Sequence, residues 1–292
     1  MKKLLNKKVG LALGILFLMS ACTNVIDPET KQVMLDKIIY LDTPFAYIFD
    51  SESWFSAFFV YPISQAINFI NQYVGVVLSI TIVTISIKLL TLGLTIKSTV
   101  ASQKMQIINP ELKRIQAKYE GKTDNDSKMK MAQEMNALYA KHNINPFGAI
   151  LVMFIQFPVI IAMYQAVQRA DAVVNGSVFG SSLQLTPWGA FNEGVWVFMV
   201  IFLLMGIFQF VSMRLPMWLQ KRNNPVKEKK YAEGKKSGPN MEVMMYSSLG
   251  MIMFLAITWP TAMSLYWLVT SLAQVAQTLF IQYRYIAPSV EA

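Results

Sequence analysis

Long apolar runs alternate with polar, lysine-rich segments along this chain. The first run, VGLALGILFLM, follows the basic stretch MKKLLNKK and ends at Ser-Ala-Cys22. It has the length of a signal-peptide core rather than of a membrane span. Five later runs are long enough to cross a bilayer. They predict spans over 73–96, 146–168, 195–213, 241–258 and 261–282, with only Trp259 and Pro260 between the last two. Before the first span, residues 58–72 mix aromatic and apolar positions with Gln65, Asn68, Asn71 and Gln72. That is the pattern of an interfacial amphipathic helix, and a simple extension of the first span is the alternative. Residues 97–145 are too polar for hydrocarbon. There Asn109 suits a cap and Pro110 a first helical position. Ile108, Leu112, Ile115 and Tyr119 then form one helical stripe. After the Thr-Asp-Asn-Asp turn, Met131, Met135 and Leu138 form a second stripe. Two such stripes predict an antiparallel helical hairpin, with His142 at its end as a solvated residue favourable near a helix C-terminus.

Composition and charge give this pattern a direction. Of 292 residues, 54% are hydrophobic and 15% charged, against roughly 25% charged in soluble domains. The net charge of +9 is concentrated in two blocks. One runs from Lys97 to Lys141 and the other from Arg214 to Lys236, whereas 171–194 holds no Lys or Arg. Lysine and arginine near span ends mark cytoplasmic loops. The chain is therefore expected to be an all-α polytopic membrane protein with a cytoplasmic hairpin at 97–145 and a basic cytoplasmic loop at 214–240. The segments 22–57 and 169–194 are expected to be extracytoplasmic, and 283–292 to be a short cytoplasmic tail. Residues 1–21 resemble a bacterial lipoprotein signal peptide, with Cys22 as the acylated residue. An ordinary signal peptide with an incidental cysteine is the alternative. One Cys and one His exclude an internal disulfide and argue against a His/Cys metal site. No Gly-rich phosphate loop, HExxH or GxSxG sequence occurs, so neither a cofactor nor a metal is expected.

Lys88 departs from the apolar pattern. Counted from Tyr73 it lies roughly 22 Å down a core about 30 Å thick. An ammonium there costs about 2.5–3.5 kcal/mol and ordinarily faces protein or a wet cavity, unless its stem snorkels to the interface. Gln209 falls at a similar depth, and Gln156 and Gln274 are also submerged. Thr84 precedes Lys88 by one turn, and Tyr266 and Trp267 stand in the last span. No carboxylate lies in the interior of any span. Together these residues suggest five helices around a hydrophilic groove open to the cytoplasm and carrying uncompensated positive charge.

Three stretches then carry a resemblance: ISIKLLTLGLTIKS, INPFGAILVMFIQFPVIIAMYQAV and WPTAMSLYWLVTSLAQVAQ. They are similar, in order and content, to motifs of the YidC/Oxa/Alb membrane-protein insertase family, in its Gram-positive five-span lipoprotein branch. The resemblance implies a non-enzymatic insertase and chaperone of the bacterial plasma membrane, working with or without the Sec channel. It aligns the family's groove base with Lys88, its third-span Gln with Gln209 and its last-span Trp with Trp267. Lys stands where Arg is commoner, which keeps the charge but loses the rigid fork. Gly93 stands where Pro is frequent. On this reading Tyr266 and Trp267 offer amphipathic surface to clients. The implied partners are nascent membrane-protein clients, the ribosome, the Sec translocase and the signal recognition particle receptor. The basic loop suits ribosomal RNA or anionic lipids. A small-solute transporter and an intramembrane Ser–Lys hydrolase, with Ser86 two residues from Lys88, are the competing classes.

Overall fold

The computed structural model describes residues 25–27, 29, 33–223 and 241–286. Cys22, the signal peptide and most of the 214–240 loop lie outside the described residues. The described chain is helical almost throughout. In chain order the helices are α1 (Phe45–Ser51), α2 (Tyr61–Val74), α3 (Val76–Lys118), α4 (Asn125–Lys141), α5 (Pro146–Arg169), α6 (Asp171–Val174), α7 (Pro187–Asn192), α8 (Trp196–Asn223), α9 (Met241–Thr258) and α10 (Thr261–Ile281). Among the described residues three segments are long and apolar enough to cross a membrane: Val76–Gly93, Trp196–Leu219 and Thr261–Arg284. A shorter apolar helix covers Met245–Thr258. A small antiparallel hairpin pairs Ser177 with Ser182. Its two-residue loop holds Phe179 at φ 54° and Gly180 at φ 81°, the positive values that a type I′ turn requires.

Two helix boundaries differ from the sequence expectation. The amphipathic segment and the first span are separate helices, but the break falls at Gly75 rather than before Tyr73. Gly75 sits at φ 79°, and nothing lies within 4 Å of where a Cβ would be. Glycine is required there by backbone conformation, not by crowding. The second correction concerns Asn109 and Pro110. They do not start a new helix, because α3 runs unbroken past them for 43 residues. Proline removes one backbone donor and crowds the preceding turn. Ile108 and Leu112, on either side of it, are both buried in one apolar cluster, and such packing outweighs local propensity.

The chain divides into two compact units. The first comprises residues up to Thr84, Phe157–Ile201 and Ala256–Tyr266. Its core joins Ile39, Ile48, Phe55, Ala57 and Val60 to Ala162 and Ala166 of α5. The polar face of α2 is turned into this unit rather than outward. Asn68 is buried; its Nδ2 donates to the Ile39 carbonyl at 2.7 Å, and its Oδ1 accepts from the Ala172 amide at 3.0 Å. Gln65 Nε2 donates to the Tyr40 carbonyl at 2.8 Å. The side chains left exposed on α2 include Phe69 and Tyr73. The loop before α7 is tied down as well. Gln184 Nε2 donates to the Val167 carbonyl, and the Thr261 amide and hydroxyl both donate to the Leu185 carbonyl.

The second unit comprises Ile85–Gln156, Phe202–Leu255 and the chain from Trp267 onward. Here α3 and α4 form a hairpin. Ile108, Leu112, Leu138 and Ile144 are buried together, flanked by Ile115 and Met135. Asp124 caps α4 by accepting from the Ser127 amide at 2.8 Å. His142 is not the solvated residue expected from sequence: its Nε2 lies 3.6 Å from Glu111 Oε2, and its side chain is only 29% exposed. In the same unit α8 and α9 pack closely at Gly206, where a Cβ would come within 2.8 Å of Met253 Sδ. Arg214 Nη2 donates to the Tyr246 hydroxyl at 2.9 Å.

The hairpin also carries an ion pair. Lys118 and Tyr119 both hydrogen-bond to Glu134. These bonds, the lysine's first, hold the Glu134 carboxyl below the usual carboxylate range, and Glu134 raises the Lys118 ammonium above the usual lysine range. A depressed carboxylate contributes stability above its ordinary value and loses it as pH falls through the depressed one. A raised lysine contributes below its ordinary value and loses it as pH rises through the raised one. The pair is therefore intact across neutral pH. Both groups are solvent-exposed and screened, so their contribution is small, and the apolar cluster decides the outcome. Leu112→Ala is expected to weaken the hairpin by about 2–5 kcal/mol. Amide-exchange protection over 105–144, corrected for intrinsic rates, should fall with Leu112→Ala and change little between pH 8 and pH 5.

Candidate functional site

Seven side chains are candidates for the groove. Thr84 and Tyr266 belong to the first unit, and Lys88, Gln156, Gln209, Trp267 and Gln274 to the second. Within the second unit the structure brings Lys88 and Gln156 together. The Lys88 Nζ lies 3.5 Å from Gln156 Oε1, at the outer limit of a hydrogen bond. The two residues come from α3 and α5, 68 positions apart. Among the described residues no acidic side chain forms an ion pair with Lys88. Gln209 is half-buried on α8, where its carbonyl accepts from Ser212 at 2.8 Å. Gln274 is half-buried on α10. The structure does not join either of them to Lys88 directly.

The Gly75 break changes the depth of Lys88. Counted from Val76, where α3 begins, Lys88 lies roughly 18 Å along the helix. Gln209, counted from Trp196, lies roughly 20 Å along α8. The two stand at similar distances along their own helices. The apolar segment of α3 runs from Val76 to Gly93, so Lys88 stands roughly 7 Å from its far end.

The remaining site residues are structural in their present contacts. Thr84 is fully buried and donates to the Ile80 carbonyl of its own helix at 2.7 Å. Tyr266 and Trp267 are 1% and 6% exposed. Aromatic rings in an apolar helix contribute most when packed, and both rings are packed.

Sequence reasoning missed the strongest polar contact in the first unit. Arg169, at the end of α5, is fully buried. Its two terminal nitrogens donate to the two carboxylate oxygens of Glu52 at 2.7 and 2.6 Å, and its Nε donates to the Lys37 carbonyl at 2.8 Å. Lys37 Nζ is 3.6 Å from the same carboxylate. A signal existed: Arg169 is the sole Lys or Arg between Lys141 and Arg214. Among the described residues no cluster of His, Cys, Asp or Glu could hold a metal ion.

With this geometry in place, the sequence model of the 60Kd inner membrane protein family matches residues 67–288, which include every candidate groove residue. The chain belongs to this family. It is the YidC/Oxa/Alb family that the three motifs resemble. The chain is 30% identical to the membrane protein insertase MisCA of Bacillus subtilis over 285 residues, covering 96% of this chain and 93% of that one. It is 28% identical to membrane protein insertase YidC 2 of Listeria innocua, over 93% of this chain and 81% of that one. It is 33% identical to membrane protein insertase YidC 1 of Streptococcus pyogenes, over 76% and 72% respectively. With its apolar helices, membership makes the chain a multi-pass protein of the bacterial cell membrane.

Proposed function

We propose that the chain inserts nascent membrane proteins into the bilayer by giving their polar flanks a charged, hydrated path, with Lys88 as its electrostatic centre. The observation that carries this reading is an ammonium within an apolar helical segment whose hydrogen-bonding neighbour is a neutral amide, Gln156. A client segment brings acidic or polar flanking residues that are costly to move through hydrocarbon. Lys88 attracts the acidic ones, while Gln156, Gln209 and Gln274 supply neutral hydrogen bonds. The apolar segment then moves into lipid, and its burial drives the step. No nucleotide is consumed, and the reaction makes and breaks no covalent bond. The family and the named relatives do not favour the transporter or the hydrolase.

The same reading holds five spans, an extracytoplasmic N-terminus anchored through acylated Cys22, and a cytoplasmic hairpin and C-terminus. It assigns the hairpin and the basic loop to contacts with the ribosome, the Sec translocase, the signal recognition particle receptor and anionic lipids. Lysine bias supports the orientation. The test is reconstitution: proteoliposomes holding the chain should insert a single-span client that protein-free liposomes of the same lipid leave outside. Equal insertion by both would remove the reading.

A further inference from the structure

The hairpin that pairs Ser177 with Ser182 sits where three apolar helices begin. A Cβ at Gly176, just before it, would lie 4.0 Å from the Cβ of Val76, the first residue of α3. Just after it, the Ala262 amide donates to the Leu183 carbonyl at 3.2 Å and the Thr261 amide to the Leu185 carbonyl at 2.9 Å. These bonds tie the chain to the start of α10. Farther on, the Phe191 ring meets that of Trp196, the first residue of α8, at 4.7 Å between centroids. Val76, Trp196 and Thr261 each open a segment long and apolar enough to cross a membrane. All of these residues belong to the first unit. The hairpin is therefore held at the level where these segments leave the bilayer.

The residue at its tip suits neither its backbone nor water. Among the described residues two non-glycine positions have positive φ, Asn143 and Phe179. Asparagine tolerates that region, whereas a bulky aromatic rarely adopts it. A type I′ turn ordinarily takes Asn, Asp or Gly at the place Phe179 holds. Packing does not explain the ring either: Phe179 is 80% exposed, the most exposed phenylalanine among the described residues. A side chain that strains its turn and packs on nothing inside the protein points to a contact outside it. The surrounding loop has the same character. Trp188 and Trp196 are 55% and 63% exposed, and no charged residue occurs from Ala172 to Asn192.

We propose that Phe179 inserts into lipid at the membrane surface where α3, α8 and α10 begin, with Trp188 and Trp196 at headgroup level, so that the hairpin is an interfacial anchor. Position selects lipid as the occupant, because lipid surrounds the starts of the three apolar helices. Aromatic side chains concentrate at that level of a bilayer. A loop without charges enters it without stranding an ion. The hairpin backbone is already paired across the Ser177–Ser182 and Val178–Ser181 register, which lowers the cost of bringing it close to hydrocarbon. The proposal rests on the membrane location of the chain and not on the insertase reading.

The test places the photoreactive p-benzoylphenylalanine, which keeps an aromatic ring, at position 179 of the full-length chain in liposomes of phosphatidylcholine and phosphatidylglycerol. The same probe at Phe254, 67% exposed on the apolar helix α9, sets the yield of lipid adducts. At Lys122, exposed in the polar turn between α3 and α4, it sets the aqueous background. After irradiation, mass spectrometry should find lipid adducts at position 179 in a yield comparable with position 254 and well above position 122. A yield at the position 122 background would overturn the proposal. A dominant crosslink to a second copy of the chain would overturn it too, by making the occupant protein. Phe179→Asn separates lipid contact from a role in packing. Asparagine suits the positive φ, so the melting temperature in detergent micelles should hold or rise. A clear fall would mean that the ring packs within the protein, against the proposal.

Discussion

Glu52→Ala is expected to destabilise the first unit by about 3–5 kcal/mol, the cost of stranding a buried charge. Arg169 is fully buried, and Glu52 meets it with both carboxylate oxygens. Removing the carboxylate leaves the guanidinium with the Lys37 carbonyl and leaves the Lys37 ammonium with Asp36 alone, at 3.7 Å. The loss would extend beyond the pair. The Ile39 amide donates to the Arg169 carbonyl at 2.7 Å, and the Asp171 amide to the Ile39 carbonyl at 3.1 Å. The N-terminal segment is thus bonded to the end of α5 at the point the ion pair fixes. Replacing both partners together, Glu52→Met with Arg169→Met, should cost less than Glu52→Ala alone, because no charge is left stranded. Thermal unfolding in detergent micelles measures both. A Glu52→Ala melting temperature equal to wild type would mean that the pair is not closed in solution. By contrast, Glu134→Gln in the exposed hairpin pair should leave the melting curve almost unmoved.

Lys88→Ala is expected to slow insertion of an acidic-flank client by about ten- to a hundredfold, matching the ~1.5–3 kcal/mol of a hydrogen bond to a charged group. Lys88→Arg keeps the charge and should retain most of the activity. The positioning partner is neutral, so no fixed bidentate geometry is lost or gained. A Ser–Lys catalytic pair would behave differently, because arginine cannot give up its proton to act as a base.

What could be read from the sequence was local. The stripe of Ile108, Leu112 and Ile115 packs with Met135 and Leu138 because helical spacing alone decides which side chains share a face. Asp124 caps α4 for an equally local reason. The charge of Lys88 amid apolar residues was visible, but its partner Gln156 was only one of several submerged amides, and nothing nearby in the chain singles it out. Contacts across long sequence distances were hidden. Arg169 and Glu52 are 117 positions apart, and nothing near either one in the chain points to the other. Asn68 looked like the wet side of an interfacial helix; it is a buried clamp on the Ile39 and Ala172 backbone. Pro110 looked like a helix start because its propensity is local, while the packing that carries α3 past it is tertiary. Trp267 and Tyr266 were legible as amphipathic rings, but burial depends on what packs around them.

The central claim is that Lys88 acts on client charge. The direct measurement is the ratio of insertion rates for the acidic-flank and neutral-flank clients, taken in proteoliposomes of wild type and of Lys88→Ala. The account predicts a ratio well above one for wild type that collapses to about one in the variant, chiefly through loss of the acidic client. An unchanged ratio in Lys88→Ala, whether both rates fall together or neither falls, would contradict it.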